Sequence, residues 1–230
     1  MSVPSWVANP MFGITLSVAA YSAAQLIHKR WSWLHPLFVC SCFIICLLLS
    51  FRIPYSAYKA GADYLTLLLG PATVALGVPL YKHAGLIRKQ LTGILIAVTF
   101  GSLAGIAGAA ALIGLLGGSR EILLSMLPKS VSSPIAIEIS SRLGGLPELT
   151  AVLTVLTGLC GSMIGRKLLF WLGFRNALPI GIAIGTAAHG IGTARLIKDS
   201  EIEGSMSGFA MGAAGIITSI LFIPIYWWIG

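Results

Sequence analysis

LPKSVSSPIAIE, residues Leu127–Glu138, decides how this chain folds. Two prolines, a lysine and three serines stand in sequence that otherwise reads as lipid-soluble. A straight membrane helix needs none of them. Two further stretches share the character: Leu69–Tyr81 (LGPATVALGVPLY), and Gly185–Leu196 (GTAAHGIGTARL), where a histidine and an arginine stand among glycines. Backbone broken at membrane depth is tolerated only where it is buried in protein or lines a watery cavity. Paired breaks of this kind point to the binding site of a transporter.

The rest of the sequence fixes the class. Of 230 residues, 57% are hydrophobic and only 10% charged, with a mean hydropathy of +0.92. Soluble domains hold about 25% charged residues, so this is a membrane protein. The net charge of +8 comes from basic residues gathered in short loops between apolar spans. That pattern anchors a topology rather than binding nucleic acid. Cys40, Cys42, Cys46 and Cys160 lie inside apolar spans without metal-site spacing, and read as small packing residues. Residues Met1–Asn9 carry no basic residue, so no secretory signal is expected and the first span stays in place.

A spanning helix needs about 20 mostly apolar residues. Pro10–Ile27, Leu34–Phe51, Tyr64–Tyr81, Leu91–Leu116, Leu149–Gly165 and Ser207–Ile229 qualify, while Glu121–Ser141 and Ala177–Ala194 are interrupted. No polar linker divides the chain, which predicts a single multi-pass domain over residues 1–230. Lys29 and Arg30, then Lys82, Arg88 and Lys89, fall on one face if the N-terminus is outside. Arg166, Lys167 and Arg175 join them only if Glu121–Ser141 dips in and returns, so a re-entrant hairpin is preferred to a bent crossing. Leu168–Phe174 predicts a short interfacial helix. For Ala177–Ala194 a broken crossing is the simpler expectation, because the following Lys198–Glu203 is too charged for a second buried arm. The fold class is therefore an all-α integral membrane protein, a multi-pass helical bundle with broken and re-entrant helices. The likeness of Leu69–Tyr81 to Leu127–Glu138 hints at an internal repeat.

Within these breaks lie the candidate binding residues. Ser132 or Ser133 can accept from free N–H groups at a helix start, and Pro134 suits the first turn. The positive end of a helix dipole then sits beside Lys129 and Ser130, a setting for a carboxylate. Thr73 offers a hydroxyl after Gly70-Pro71. His189 follows an uncharged run, so it is a candidate substrate ligand and coupling-proton carrier. Thr193 adds a hydroxyl, and Arg195 a fork that matches a carboxylate. Glu138 pairs with Lys129 or Arg142, or binds the coupling proton or sodium ion. The small-residue run Gly101–Ala111 suits close helix packing. No HExxH, GxSxG or phosphate-binding glycine loop occurs, and no aspartate lies within a span. No enzyme activity, catalytic residue, metal or cofactor is expected.

Three strings, GPATVALGVPLYK at Gly70–Lys82, LPKSVSSPIAIE at Leu127–Glu138 and AHGIGTARLIK at Ala188–Lys198, together resemble the LrgB/CidB family over essentially the whole chain. SSP stands where TTP is common, and Ala188 precedes the histidine where serine is common. The resemblance implies a multi-pass protein of the bacterial cell membrane. It also implies a partner, a small LrgA/CidA-type membrane protein; a homodimer is a further expectation. Bacterial members are described as antiholin-like or holin-like modulators of murein hydrolase export and autolysis. Plastid relatives exchange glycolate and glycerate, and some bacterial pairs are linked to pyruvate uptake. The residues favour a carrier of small monocarboxylates, coupled to protons or sodium, whose autolysis effects are indirect. The alternative is a pore-forming or regulatory protein of the holin type, which has no need of a lysine, serines, a histidine and an arginine at helix breaks.

Overall fold

A computed structural model describes residues 9–31, 34–75 and 77–229. These are almost entirely helical, without a strand. The chain falls into two compact units, Met1–Ala75 and Leu76–Gly230.

The first unit holds α1 (Pro10–Arg30), α2 (Pro36–Ser50), α3 (Tyr55–Thr66) and α4 (Leu69–Ala75). The Asn9 side chain caps α1 by accepting from the Met11 N–H, and Pro10 supplies the preset φ of the first turn. α1 and α3 cross at two glycines. A Cβ on Gly61 would meet the Pro10 carbonyl, and one on Gly13 the Tyr58 carbonyl. Ser17 and Tyr58 hydrogen-bond beside this crossing at 2.8 Å. The span expected over Tyr64–Tyr81 starts earlier, at Tyr55, and a turn at residues 67–68 separates α3 from α4.

The second unit carries α5 (Gly77–Lys82), α6 (Ala84–Leu115), α7 (Arg120–Met126), α8 (Ser133–Leu143), α9 (Pro147–Cys160), a π-helical turn (Gly161–Gly165), α10 (Arg166–Trp171), α11 (Ala177–Asp199) and α12 (Glu201–Ile229). α6 and α12 run side by side in the same direction. Ile87, Ile94 and Val98 cluster with Met206, Ala210 and Ala214, and further along Ile106 and Ala110 join Phe222. Lys82, just before α6, reaches Glu201 at the start of α12 (2.8 Å). Arg166 grips Glu203 through Nε and Nη2 at 2.9 and 3.0 Å. One end of the unit therefore gathers the basic residues, as the charge pattern requires.

α7 and α8 form the expected hairpin. After α6 ends at Leu115, the chain returns so far that Ser130 Oγ lies 3.6 Å from where a Gly105 Cβ would be. That is ten residues back along α6, about 15 Å. α8 then climbs beside α12, from Ile135 against Gly215 to Leu143 against Phe222. After α8 the chain returns to the side of α7. The Leu146 N–H donates to Ser125 Oγ (2.7 Å), and Gly145 has no room for a Cβ beside the Ser125 N–H. The segment dips from the end opposite the basic one and does not cross.

α11 departs from expectation. It is long and apolar enough to cross a membrane, and the sequence suggested a broken crossing. Instead the backbone leaves the helix at His189 (φ 39°, ψ −140°) and doubles back. Gly185 packs on the Ser207 carbonyl, while Thr193 hydrogen-bonds the same Ser207 (2.8 Å). On a straight helix these positions lie about 12 Å apart. Gly192 meets the Ala188 Cβ and Ile184 of the first arm. The charged tail that argued against a second arm lies past its membrane depth: Asp199 and Glu201 sit at the basic end, where Lys82 pairs with Glu201.

The two hairpins thus enter from opposite ends. α6 crosses and is followed by one hairpin; α9–α10 crosses back and is followed by the other. The two crossing-plus-hairpin segments run in opposite senses. α10 is no separate interfacial helix, because the π turn joins it to α9 in one rod from Pro147 to Trp171.

Candidate functional site

The tip of the first hairpin is a tight turn. Hydrogen bonds from the Lys129 N–H to the Met126 carbonyl and from the Val131 N–H to the Pro128 carbonyl hold it at 3.2 and 3.3 Å. Pro134 in the first turn of α8 spares a donor that would have no acceptor. Ser132 occupies the cap position of α8, although its hydroxyl makes no cap bond. The expected helix start is therefore present next to Lys129 and Ser130.

Beside this tip lies a cavity of 640 Å³. Gln90, Gly93, Ala97, Gly101 and Gly105 form one wall along α6, Lys129 and Ser130 the deep end, Thr157 of α9 and the 178–187 arm of α11 the remainder. The α6 residues follow helical spacing over about 22 Å, from near the basic end to beyond the middle of the helix. A Cβ at Gly93 would meet nothing, and one at Gly101 would come 3.2 Å from the Thr186 methyl. Gly101 and Gly105, in the run expected to serve close packing, admit Thr186 of α11 and Ser130 of the hairpin tip at close range, and both also line the cavity.

Lys129 is half-buried. Among the described residues no carboxylate lies within ion-pair distance, and its one side-chain hydrogen bond is to Ser130 Oγ at 3.3 Å. An ammonium held at membrane depth without a counter-ion is a functional candidate by default. Gln90, Thr157 and Thr186 line the same cavity and escaped the sequence reading. Thr157 and Thr186 sit on helical turns with their hydroxyls donating to the Leu153 and Ile182 carbonyls. Only the fold reveals which face they occupy.

The other expected site residues lie elsewhere. His189 is buried at the tip of the second hairpin, with Nε2 2.9 Å from the Thr154 carbonyl. A carbonyl only accepts, so Nε2 carries the proton. Gly158 makes the contact possible, since a Cβ there would lie 2.8 Å from Nε2. Thr193 donates to the His189 carbonyl (2.8 Å), binding the second arm to the turn. Ser133 begins α8 outside the cavity lining. Arg195 pairs with Asp199 (3.5 Å) and lines a separate recess at the basic end. Glu138 takes the Arg142 partner expected for it (2.6 Å), at the opposite end. Thr73 belongs to α4 in the first unit, and its side chain lies outside the described residues. No cluster of potential metal ligands occurs among the described residues.

Matched against known families, residues 17–228 fit the LrgB-like family. The chain belongs to the LrgB-like family. Among relatives, it is 36% identical over 222 residues to the uncharacterized protein YxaC of Bacillus subtilis strain 168, covering 94% of each chain. YwbG of the same organism is 35% identical over 205 residues, 88% of this chain and 91% of that one. An uncharacterized protein of Haemophilus influenzae Rd is 37% identical over 208 residues, 90% of each. No solved structure matches. The hairpins thus describe a multi-pass membrane protein of this family.

Proposed function

We propose that this LrgB-family protein carries small monocarboxylates of the glycolate, glycerate or pyruvate class. The observation that carries the reading is the lone Lys129 at the deep end of a 640 Å³ cavity, set between two hairpins from opposite ends. The volume falls within the roughly 300–1,000 Å³ of small-molecule sites. Discontinuous helices meeting in mid-membrane at a repeat interface are the usual frame for alternating access. In this scheme Lys129 and Ser130 hold the carboxylate. Substrate neutralises an ammonium that is costly in the empty protein, so the loaded state reorganises more readily than the empty one.

The basic end, with Lys82, Lys89, Arg166 and Lys167, is assigned to the cytoplasm of a bacterial cell by the positive-inside rule. His189 is the proposed proton carrier: with its proton on Nε2, Nδ1 can take a second, and its ring and carbonyl tie the hairpin tip to α9 and to the second arm. Effects on murein hydrolases follow indirectly, through carboxylate and proton balance.

Radiolabelled pyruvate and glycolate uptake into proteoliposomes tests the reading, with and without a small LrgA/CidA-type partner. Saturable uptake of either acid is expected, without leakage of trapped dyes. Size-graded dye leakage with uptake of neither acid would establish the pore-forming alternative.

A further inference from the structure

A second, smaller recess of 150 Å³ opens at the basic end of the second unit. Its walls are the π turn, with Ser162, then Arg166 and Lys167 of α10, and Arg195 and Asp199 of the second arm of α11. It lies on the far side of the 177–188 arm from the Lys129 cavity, and Ile184 is shared by its lining and the packing on Gly165. Cations predominate here. Arg166 spends Nε and one Nη2 hydrogen on buried Glu203, which leaves both Nη1 hydrogens and the other on Nη2 for a further acceptor. Lys167 is exposed and has no acidic partner among the described residues. Arg195 contributes a third positive charge against the single carboxylate of Asp199 in the lining.

Apolar surface adjoins the recess. Leu168, Trp171, Leu172 and Phe174 are all exposed on α10 and the turn after it, Trp171 by 82%. Indole rings sit by preference at the headgroup boundary of a bilayer, and Arg166 itself lies over the Phe170 ring at 5.0 Å. A planar fork and an ammonium beside aromatic surface suit a phosphate group whose remainder is hydrocarbon.

We propose that this recess is a binding site for the phosphate headgroup of an acidic phospholipid, its acyl chains lying along Trp171 and Phe174. The occupant bridges the end of the α9–α10 rod and the returning arm of the second hairpin. It thereby fastens the arm that carries Arg195 to the crossing that carries Arg166. Free phosphate shares the headgroup chemistry but would gain nothing from the apolar margin.

The full-length protein is purified in mild detergent and titrated with phosphatidylglycerol, phosphatidylcholine or inorganic phosphate, with bound ligand read by native mass spectrometry. Phosphatidylglycerol is expected to bind in preference to phosphatidylcholine. Lys167→Gln should weaken it about fivefold, as for one charge at a membrane surface, and Lys167→Gln with Arg195→Gln further still. Arg120→Gln, at the opposite end, leaves it unchanged. Equal retention of both lipids, or equal retention by wild type and the double variant, overturns the site. Binding of inorganic phosphate as tight as that of phosphatidylglycerol overturns the lipid assignment and makes the recess a free-phosphate site. A double variant that fails to fold leaves Lys167→Gln, on an exposed side chain, to decide between these outcomes.

Discussion

Replacing Lys129 with Met separates binding from folding. The substitution keeps most of the length and volume of the side chain and removes the charge. Because Lys129 has no carboxylate partner among the described residues, and bonds only Ser130 at 3.3 Å, no buried anion is left behind. Loss of a half-buried ammonium should not lower stability, so the thermal midpoint in detergent stays level or rises. Binding is another matter. A charge-assisted hydrogen bond contributes about 1.5–3 kcal/mol, and each 1.4 kcal/mol is tenfold in affinity. The apparent affinity for the carboxylate should therefore fall by roughly 10- to 150-fold. Proteoliposome uptake over a range of substrate concentrations reads this directly, and Ser130→Ala should show a smaller loss of the same kind. If Lys129→Met transports with unchanged affinity, the ammonium is no carboxylate ligand. If the variant instead loses thermal stability by several degrees, Lys129 is a structural residue with a partner in the folded protein.

Three further outcomes follow from the same geometry. Gly158→Ala forces a methyl to 2.8 Å from His189 Nε2 and 3.0 Å from Ile191 Cδ1, so it should destabilise by about 1–3 kcal/mol, read as a lower thermal midpoint. Arg166→Ala strands the Glu203 carboxylate, whose side chain is 6% exposed, and should cost roughly 3–5 kcal/mol; Arg166→Ala with Glu203→Ala should recover much of it, and a double variant no better than the single refutes the pairing argument. With Cys40, Cys42, Cys46 and Cys160 replaced, single cysteines at Ser119 and at exposed Glu148 should react with an impermeant thiol reagent from one side, and those at Lys167 and Lys198 from the other. Labelling of the Ser119 and Glu148 positions from opposite sides would mean that the first hairpin crosses.

The first hairpin was legible because two independent signals agree on it. Charge bookkeeping across Lys82–Lys89 and Arg166–Arg175 demanded an even number of passes between them, and Pro134 with Ser132 marked where a helix could restart. The second hairpin was hidden because its break needs no proline. His189 itself takes the positive φ, between Ala188 and Gly190, and glycines at 181, 185 and 192 reveal only afterwards that they serve the close approach of the arms and α12. Charge was misleading there for a physical reason. Lys198–Glu203 is too polar for the bilayer, but the arm before it is short enough that this tail already lies at the membrane face.

For the site, sequence could single out the residues unusual for a bilayer, but not which of them meet. Lys129, Ser130, His189 and Arg195 all violate the local apolar rule, yet the fold distributes them among a deep cavity, a hairpin tip and a recess at the basic end. The residues that shape the cavity break no rule. Gly93, Ala97, Gly101 and Gly105 look like a packing stripe, and a stripe of small residues permits either a close helix or an empty space. What decides between them is the neighbour. Across from Gly101 stands the arm of α11, whose Thr186 methyl would be touched by an added Cβ, while Gly93 faces nothing. The arm touches the stripe near its middle and stands away at Gly93, so the void is held open between them. That makes the volume of the cavity depend on the angle of one re-entrant arm, and the same arm is the one His189 hinges.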